Sequence, residues 1–435
     1  MSFFYFPGFP DFDCGWIFKY REGGHASDWH SPLMSYMAWV LDRIGFRNET
    51  FFLLHAGMFS YGMAQFARLL VNDDRHRIAY FTFILFYFPL TLAVSCTGKD
   101  AAFVGAMVFS SSALMVAEQK KSKLNLLFCF VGLVYGFSVR HNAIFATLPF
   151  VFCFEAAILR FFPALPHKTK IPFYGFLALV GLWVSAWLIK YPILKANLSY
   201  PSQVVMIHDL AAVSSQSQQN YFPELFFDDA ITPTLEFLET SYTPSDISPL
   251  VWGLPLIQGQ REPRGPHLSL VTQQAEYLQL KHQWIHGILA WPQIYLKHRA
   301  RVFGALLGWS RYPETRENYW PYRIILKEFR TKYRPDFFFP ATQIKEIVKL
   351  SKDWWIFKNG FYLLLLIFEF LIGWKLGLMK NRSFVALSLS AFCYISSFFF
   401  FAPGMVFRYF WWPVAVSLIL PAFILGRIKR RLLNF

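Results

Sequence analysis

The chain has 435 residues, of which 55% are hydrophobic, 20% aromatic and only 16% charged, and its formal net charge is +15. Soluble domains carry about 25% charged residues, so the composition and the positive mean hydropathy exclude an ordinary soluble protein and predict a polytopic membrane protein. No nucleic-acid-binding motif accompanies the positive charge, which in membrane proteins collects in cytoplasmic loops, so we expect no nucleic-acid partner.

A polar stretch at residues 10–39 opens the chain and is followed at once by apolar segments. It is too polar to cross a bilayer, and residues 1–50 are predicted to form an extracytoplasmic loop with juxtamembrane helices. Acidic, imidazole and indole side chains are interleaved in this stretch: Asp11, Asp13, Trp16, Glu22, His25, Asp28, Trp29 and His30. The tryptophans are typical of anchors at the membrane interface, and aromatic faces also suit sugar rings.

Nine apolar runs follow in two groups, which predicts about nine transmembrane helices. The runs fall at 51–71, 78–97, 100–118, 124–139, 143–160, 171–190, 360–379, 383–402 and 405–425. Lys and Arg recur in alternate loops and in the C-terminal tail, which places these on the cytoplasmic side. We therefore predict an all-α polytopic protein with an N-terminal transmembrane module at 51–190, a C-terminal module at 360–435 and a cytoplasmic C-terminus.

The segment 191–359 lies between the two groups and contains most of the prolines. It is predicted to be a loop-rich extracytoplasmic domain. Within it, residues 273–308 have helical character. Pro292 and the basic cluster at 297–301 favour a helix that lies on the membrane surface over one that spans it.

Polar residues collect at the predicted outer ends of the spans. These are Lys99-Asp100, Arg140-His141-Asn142, Arg408-Tyr409 and, soon after the sixth span, His208-Asp209. Ionisable groups near membrane depth are usually buried in protein or line a wet cavity. Structural roles also fit each group: lysine and arginine can reach lipid head groups, Asp100 can cap the following helix, Arg408 can pair with a structural carboxylate, and His208-Asp209 can begin a helix.

A face that holds both carboxylates and cations suits glycosyl transfer from a lipid phosphate. A carboxylate accepts the proton of the attacking hydroxyl. Cations stabilise the phosphate that leaves, and arginine does so with paired hydrogen bonds. The site must lie at the membrane surface because the lipid tail of the donor stays in the bilayer.

The motifs resemble those of GT-C-fold glycosyltransferases, such as the protein mannosyltransferases, the aminoarabinose transferases and uncharacterised bacterial relatives. The resemblance is carried by the first loop, with its acidic residue, Gly-rich turn and Ser27-Asp28-Trp29-His30-Ser31-Pro32-Leu33, by Gly98-Lys99-Asp100, by Arg140-His141-Asn142 and by Arg408-Tyr409. The chain departs from the family in Ser31, where relatives commonly have proline. It also departs in its first transmembrane helix, which we interpret as missing. Residues 3–9 would then be the end of a longer apolar segment.

The resemblance implies a catalytic base in the first loop, with Asp13 the better match and Asp11 the second. Lys99, Arg140 and Arg408 would hold the donor phosphate. The remaining outer residues would shape the substrate site: Asp28, Trp29, His30, Asp100, His141, Asn142, His208, Asp209 and Tyr409. No spacing of residues indicates a metal site, although some relatives use a divalent ion such as Mg²⁺ or Mn²⁺.

The expected function is an inverting glycosyltransferase of the bacterial inner membrane, with an extracytoplasmic active site. It would take a polyprenyl-phosphate sugar and a lipid, glycan or protein acceptor. One alternative is a transporter or flippase of lipid-linked glycans, which would need ionisable groups at mid-span or broken helices. Another is a polysaccharide polymerase or ligase acting on the same face.

Overall fold

The computed structural model describes residue 17 and residues 26–46, 49–165, 172–223, 233–252, 268–309 and 354–432. Of these residues 79% are helical, and none belongs to a β-strand. The predicted all-α class is confirmed over the part of the chain that the structure describes.

The N-terminal half begins with a short helix that carries the first loop into the bundle. In this helix, α1 (Pro32–Arg43), the Ser31 hydroxyl accepts a hydrogen bond from the backbone N–H of Met34, and Pro32 occupies the first turn, where no N–H is needed. The helices that follow are α2 (Glu49–Leu70), α3 (Asp74–Phe86), α4 (Phe88–Ser95), α5 (Lys99–Lys120), α6 (Lys123–Val139), α7 (Ala143–Phe161) and α8 (Phe173–Ile193).

The C-terminal half contains a helical segment that packs beside the bundle and three closing helices. The first part is α9 (Gln203–Ser217), α10 (Leu235–Ser241), α11 (Ser248–Trp252), α12 (Gln274–Ala290) and α13 (Pro292–Leu306). The closing helices are α14 (Asn359–Lys375), α15 (Arg382–Phe401) and α16 (Phe407–Leu432). Buried side chains of α9 to α12 form a hydrophobic cluster distinct from that of the bundle.

Each of the nine apolar runs coincides with one helix or with one bent pair of helices. Among the described residues, five helices are long and apolar enough to cross a membrane, namely α5, α7, α8, α15 and α16, and the bent pair α3–α4 makes a sixth if it counts as one span. These apolar helices indicate an integral membrane protein, which is all-α over its described residues. The number of nine spans stays a prediction.

Two prolines explain where helices break. Pro89 lies in the first turn of α4, where α3 and α4 meet at a bend of 66°. Pro292 likewise opens α13 and divides the predicted helical stretch at 273–308 into α12 and α13. Neither α12 nor α13 is among the candidate spans, and both pack against α9.

The basic loops meet at one end of the bundle. Arg160 donates a hydrogen bond to the carbonyl oxygen of Gln119 at 3.2 Å. Arg382 lies 3.9 Å from the carboxylate of Glu118. The alternation of charge along the sequence thus corresponds to a shared end, and the polar turns at Lys99, Arg140 and Arg408 lie at the opposite helix ends. That the basic end faces the cytoplasm stays a prediction.

Helix α5 is the central element, because 94% of its most apolar window is buried. Small residues allow its neighbours to approach it closely. A Cβ atom added to Gly62 of α2 would lie 2.7 Å from the backbone carbonyl carbon of Val108 in α5. At this point the backbones of α2 and α5 touch because α2 has no side chain there.

We predict that Gly62→Ala lowers the unfolding temperature of the detergent-solubilised protein. The added methyl group forces two backbones apart, which costs about 1–3 kcal/mol. Gly57→Ala on the same helix is the matched control, because no atom lies within 4 Å of its added Cβ. Equal unfolding temperatures for the two variants would contradict the close approach of α2 and α5.

Candidate functional site

The carboxylate of Asp100 joins two arginines from distant parts of the chain. Its Oδ1 atom forms an ion pair with Arg140, and its Oδ2 atom lies 3.1 Å from Nε of Arg408. Asp100 is only 2% exposed, whereas the side chains of Arg140 and Arg408 are 9% and 21% exposed. The three residues that sequence reasoning placed at three separate outer turns are therefore in direct contact.

Helix ends position these three side chains. Asp100 lies in the first turn of α5, Arg140 follows the last residue of α6, and Arg408 belongs to the 3-10 turn Phe407–Phe410 that opens α16. Asn142 accepts a hydrogen bond from Nε of Arg140 at 3.1 Å. The Tyr409 ring lies 5.0 Å from the Arg140 guanidinium carbon, which gives a cation–π contact.

The end of the first loop docks beside this group. Asp28 is 5% exposed; one of its oxygens accepts a hydrogen bond from the backbone N–H of Ser199 at 2.6 Å, and the other lies 3.4 Å from the Tyr191 hydroxyl. His141 Nε2 donates to the backbone carbonyl oxygen of Asp28 at 3.1 Å. Asp28 therefore holds the loop against α8 and against the turn that carries Arg140.

Trp29 and His30 lie in the same turn as Asp28 and are half-buried. The backbone N–H of Trp29 donates to the Ser27 hydroxyl at 3.3 Å. Asp11 and Asp13, the predicted base candidates, lie outside the described residues. The short segment at 26–31 is thus the part of the first loop that reaches the cluster in the described structure.

Two lysines add positive charge to this region. Lys190, in the last turn of α8, is within electrostatic range of Asp28 and of Lys99. Burial lowers the pKa of His141, and the charges of Lys190, Lys99 and Arg140 act in the same direction. The His141 ring keeps an exposed face, which limits the effect of burial, but the three cations by themselves favour neutral imidazole.

We call Lys99, Arg140, Lys190 and Arg408, with the carboxylates Asp28 and Asp100, the outer cationic cluster. Within the described part of the chain, this cluster contains four cations and two carboxylates. Lys190 was missed from the sequence because it falls at the end of the run at 171–190 and was counted with the span. Its signal was the same as for the other residues, a cation at the outer end of an apolar run.

His208 and Asp209 do not join the outer cationic cluster. They lie in α9 and form a second buried group with His298 and Arg299 of α13. Asp209 Oδ1 lies 2.5 Å from Arg299 Nη2 and 3.1 Å from His298 Nε2, and Asp209 Oδ2 accepts from the Trp284 indole at 2.8 Å. The interpretation of His208-Asp209 as an ordinary helix start does not hold, because α9 begins at Gln203.

The described residues offer little support for a metal ion. Within the described ranges no group of three or more His, Cys, Asp or Glu side chains could hold one. The two carboxylates of the outer cationic cluster already accept from cations, a hydroxyl or a backbone N–H. A small cavity inside the bundle, between α5, α6 and α7, is lined by apolar residues and serines and has no titratable group suited to acid–base chemistry.

Comparison of the chain with protein-family models, with curated proteins and with solved structures finds no match in any of the three. The geometry and charge of the residues themselves are therefore what indicates a function.

Burial favours the neutral form of both histidines of the second group. Burial lowers the pKa of His208 well below its ordinary value, and the nearby His298 and Arg299 add to the effect. Burial also lowers the pKa of His298, despite the opposite influence of Asp209. For Asp209, burial favours the protonated acid, but Arg299 and His298 outweigh it and the pKa falls. The Nε2–H of His208 donates to the carbonyl oxygen of Thr243 at 2.8 Å, as the neutral ring allows.

We predict that the protein loses stability as the pH falls below about 6.5. The unfolded histidines take up protons there and the buried ones do not, so each can cost up to about 1.4 kcal/mol per pH unit. His208→Gln keeps a donor for Thr243 and should make the unfolding temperature less dependent on pH between 7.5 and 5. His282→Gln, at an exposed position of α12, should keep the wild-type dependence, and equal slopes for His208→Gln and wild type would contradict the assignment.

Proposed function

We propose that the protein is a membrane glycosyltransferase of the GT-C type. It would transfer a sugar from a polyprenyl-phosphate donor to an acceptor on the extracytoplasmic side, with inversion at the anomeric carbon. The observation that carries this proposal is the meeting of Arg140 and Arg408 at Asp100, beside Lys99 and Lys190, at one end of an apolar helix bundle.

The four cations of the outer cationic cluster support an anionic ligand. A phosphate monoester or diester with its tail in the bilayer would bring negative charge to them at the end of the bundle where these helix ends lie. Arginine presents several fixed donors to phosphate oxygens, and Arg408 is the more exposed of the two arginines.

Asp13 would act as the general base, with Asp11 as the second candidate. Segment 26–31 is anchored by Asp28 at the outer cationic cluster, and residues 11–13 precede it in the same loop by 13 to 15 positions. A base in this loop would take the proton of the acceptor hydroxyl while the donor phosphate leaves toward the cations, so the two charges would develop at opposite sides of the sugar.

The test uses purified protein in lipid nanodiscs with a radiolabelled polyprenyl-phosphate sugar. Asp13→Asn should abolish transfer, and Arg408→Gln should slow it by about 10²-fold, the usual effect of removing one group that stabilises developing negative charge. Asp74→Asn, at an exposed position at the other end of the bundle, is the control and should keep full activity. Unaltered transfer by Asp13→Asn would remove the base assignment, and unaltered transfer by Arg408→Gln would remove the phosphate assignment.

One observation favours the alternative of a transporter. Glu369 of α14 is 3% exposed, and neither of its carboxyl oxygens has a hydrogen-bond partner among the described residues. Its helix packs against α16 and α15. An ionisable residue inside a membrane helix bundle often belongs to a transport path.

Glu369→Gln discriminates between the two functions. A glycosyltransferase with its site at the outer cationic cluster should keep its transfer rate, because Gln retains the shape of the side chain away from the site. A transporter should lose the movement of a fluorescent lipid-linked glycan across proteoliposomes. Loss of movement in Glu369→Gln, with no bond cleavage by the wild type, would replace the first proposal with the second.

A further inference from the structure

We propose that Arg299 is a positioning residue, which fixes the segment that presents Arg408 to Asp100. This inference rests on the proposed function only in taking the outer cationic cluster as the donor-phosphate site. Arg299 touches neither Asp100 nor Arg408 in the described structure, and it acts through the chain between Ala402 and Arg408.

Arg299 contacts both a carboxylate on one helix and a backbone carbonyl oxygen at the end of another. It is 0% exposed, and its Nη2 is paired with Asp209 at 2.5 Å. Its Nη1 donates to the backbone carbonyl oxygen of Ala402 at 2.8 Å. Ala402 directly follows the last residue of α15, so one guanidinium group connects α9 and α13 with the end of a membrane helix.

The segment from Ala402 to Arg408 is then held at successive points. The backbone N–H of Met405 donates to the carbonyl oxygen of Ser245 at 2.8 Å, and Gly404 forms an isolated bridge with Asp246. Arg408 follows within one turn and reaches Asp100. The position of Arg408 is thus set from one side by Asp100 and from the other by the residues that hold its backbone.

The geometry of a guanidinium explains why arginine stands here. Its planar fork can donate to a carboxylate and to a separate carbonyl oxygen at the same time, whereas a lysine ammonium is a point charge on a flexible stem. A buried ion pair adds little net stability compared with apolar residues of the same size. The pair of Arg299 with Asp209 is therefore better explained by the fixed position of Ala402 than by stability.

The first experiment measures the reactivity of Arg408 with phenylglyoxal, by mass spectrometry on the full-length protein in nanodiscs. Arg299→Lys keeps the charge, but a single ammonium group cannot hold the Asp209 carboxylate and the Ala402 carbonyl oxygen as the planar guanidinium does. The segment should therefore open more often, and Arg408 should react about tenfold faster. Exposed Arg75 is the internal reference and should keep its rate. Arg301→Lys, an exposed substitution two residues along α13, is the matched control and should leave Arg408 unchanged.

An unchanged rate at Arg408 in folded Arg299→Lys overturns the inference. If Arg299→Lys does not fold, the double variant Asp209→Asn, Arg299→Gln removes both buried charges together and takes its place with the same expectation. Because this measurement needs no donor, it decides on Arg299 even if the protein transfers no sugar.

The second experiment separates a positioning role from a merely structural one. The affinity for a polyprenyl monophosphate is measured for wild type, Arg299→Lys, Arg408→Gln and the variant that combines both. Arg299→Lys should weaken binding about tenfold in the wild-type background and not at all when Arg408 is already replaced, because coupled residues are not additive. An equal loss in both backgrounds would assign Arg299 a structural role and overturn the inference. If the wild type binds no polyprenyl phosphate, the proposed donor site is wrong, and the phenylglyoxal result decides whether Arg299 positions Arg408.

Discussion

The carboxylate of Asp100 is the constraint on which the outer end of the bundle depends. Arg140 and Arg408 come from turns that are almost 270 residues apart, and each would be costly to bury without a negative partner. Asp100 is fully buried in the first turn of α5, the most enclosed helix of the bundle. A central helix therefore fixes where both guanidinium groups can lie.

The outer cationic cluster differs from the second buried group in the exposure of its cations. The side chain of Arg408 is 21% exposed, whereas Arg299 is 0% exposed and paired with Asp209, beside two histidines whose neutral forms burial favours. A fully enclosed pair suits a structural connection. The partly exposed cation is the one that the proposed anionic ligand would meet.

Apolar runs predicted the helices because each run records the burial of its own residues. The alternation of basic loops was also informative, since these loops lie together at one end of the bundle. The run at 78–97 was predicted as one span because it is long and apolar throughout. The bend between α3 and α4 depends on a single proline, Pro89, within that run. Lys190 was concealed in the same way, since a long apolar run ends in the residue that contributes to the site.

Partners distant in sequence were beyond prediction. Nothing near Asp209 indicates that it pairs with Arg299, which was itself assigned to a helix on the membrane surface. The pair forms because α9, α12 and α13 pack together, and that packing depends on residues of all three helices. Likewise, the motif containing Asp100 was recognised, but its role as the common partner of both arginines was not.

The burial of Arg140 argues against the simplest structural role for these arginines, which is contact with lipid head groups. A cation that extends to lipid head groups keeps its charged end exposed, but the Arg140 side chain is 9% exposed and its guanidinium lies against Asp100, Asn142 and the Tyr409 ring. Arg140 is thus held by protein on several sides. The Arg408 side chain is 21% exposed, and Asp100 and the contacts at Ala402 and Met405 hold its segment in place. Among the cations of the cluster it is therefore the one that the proposed ligand would reach while the ion pair with Asp100 stays formed.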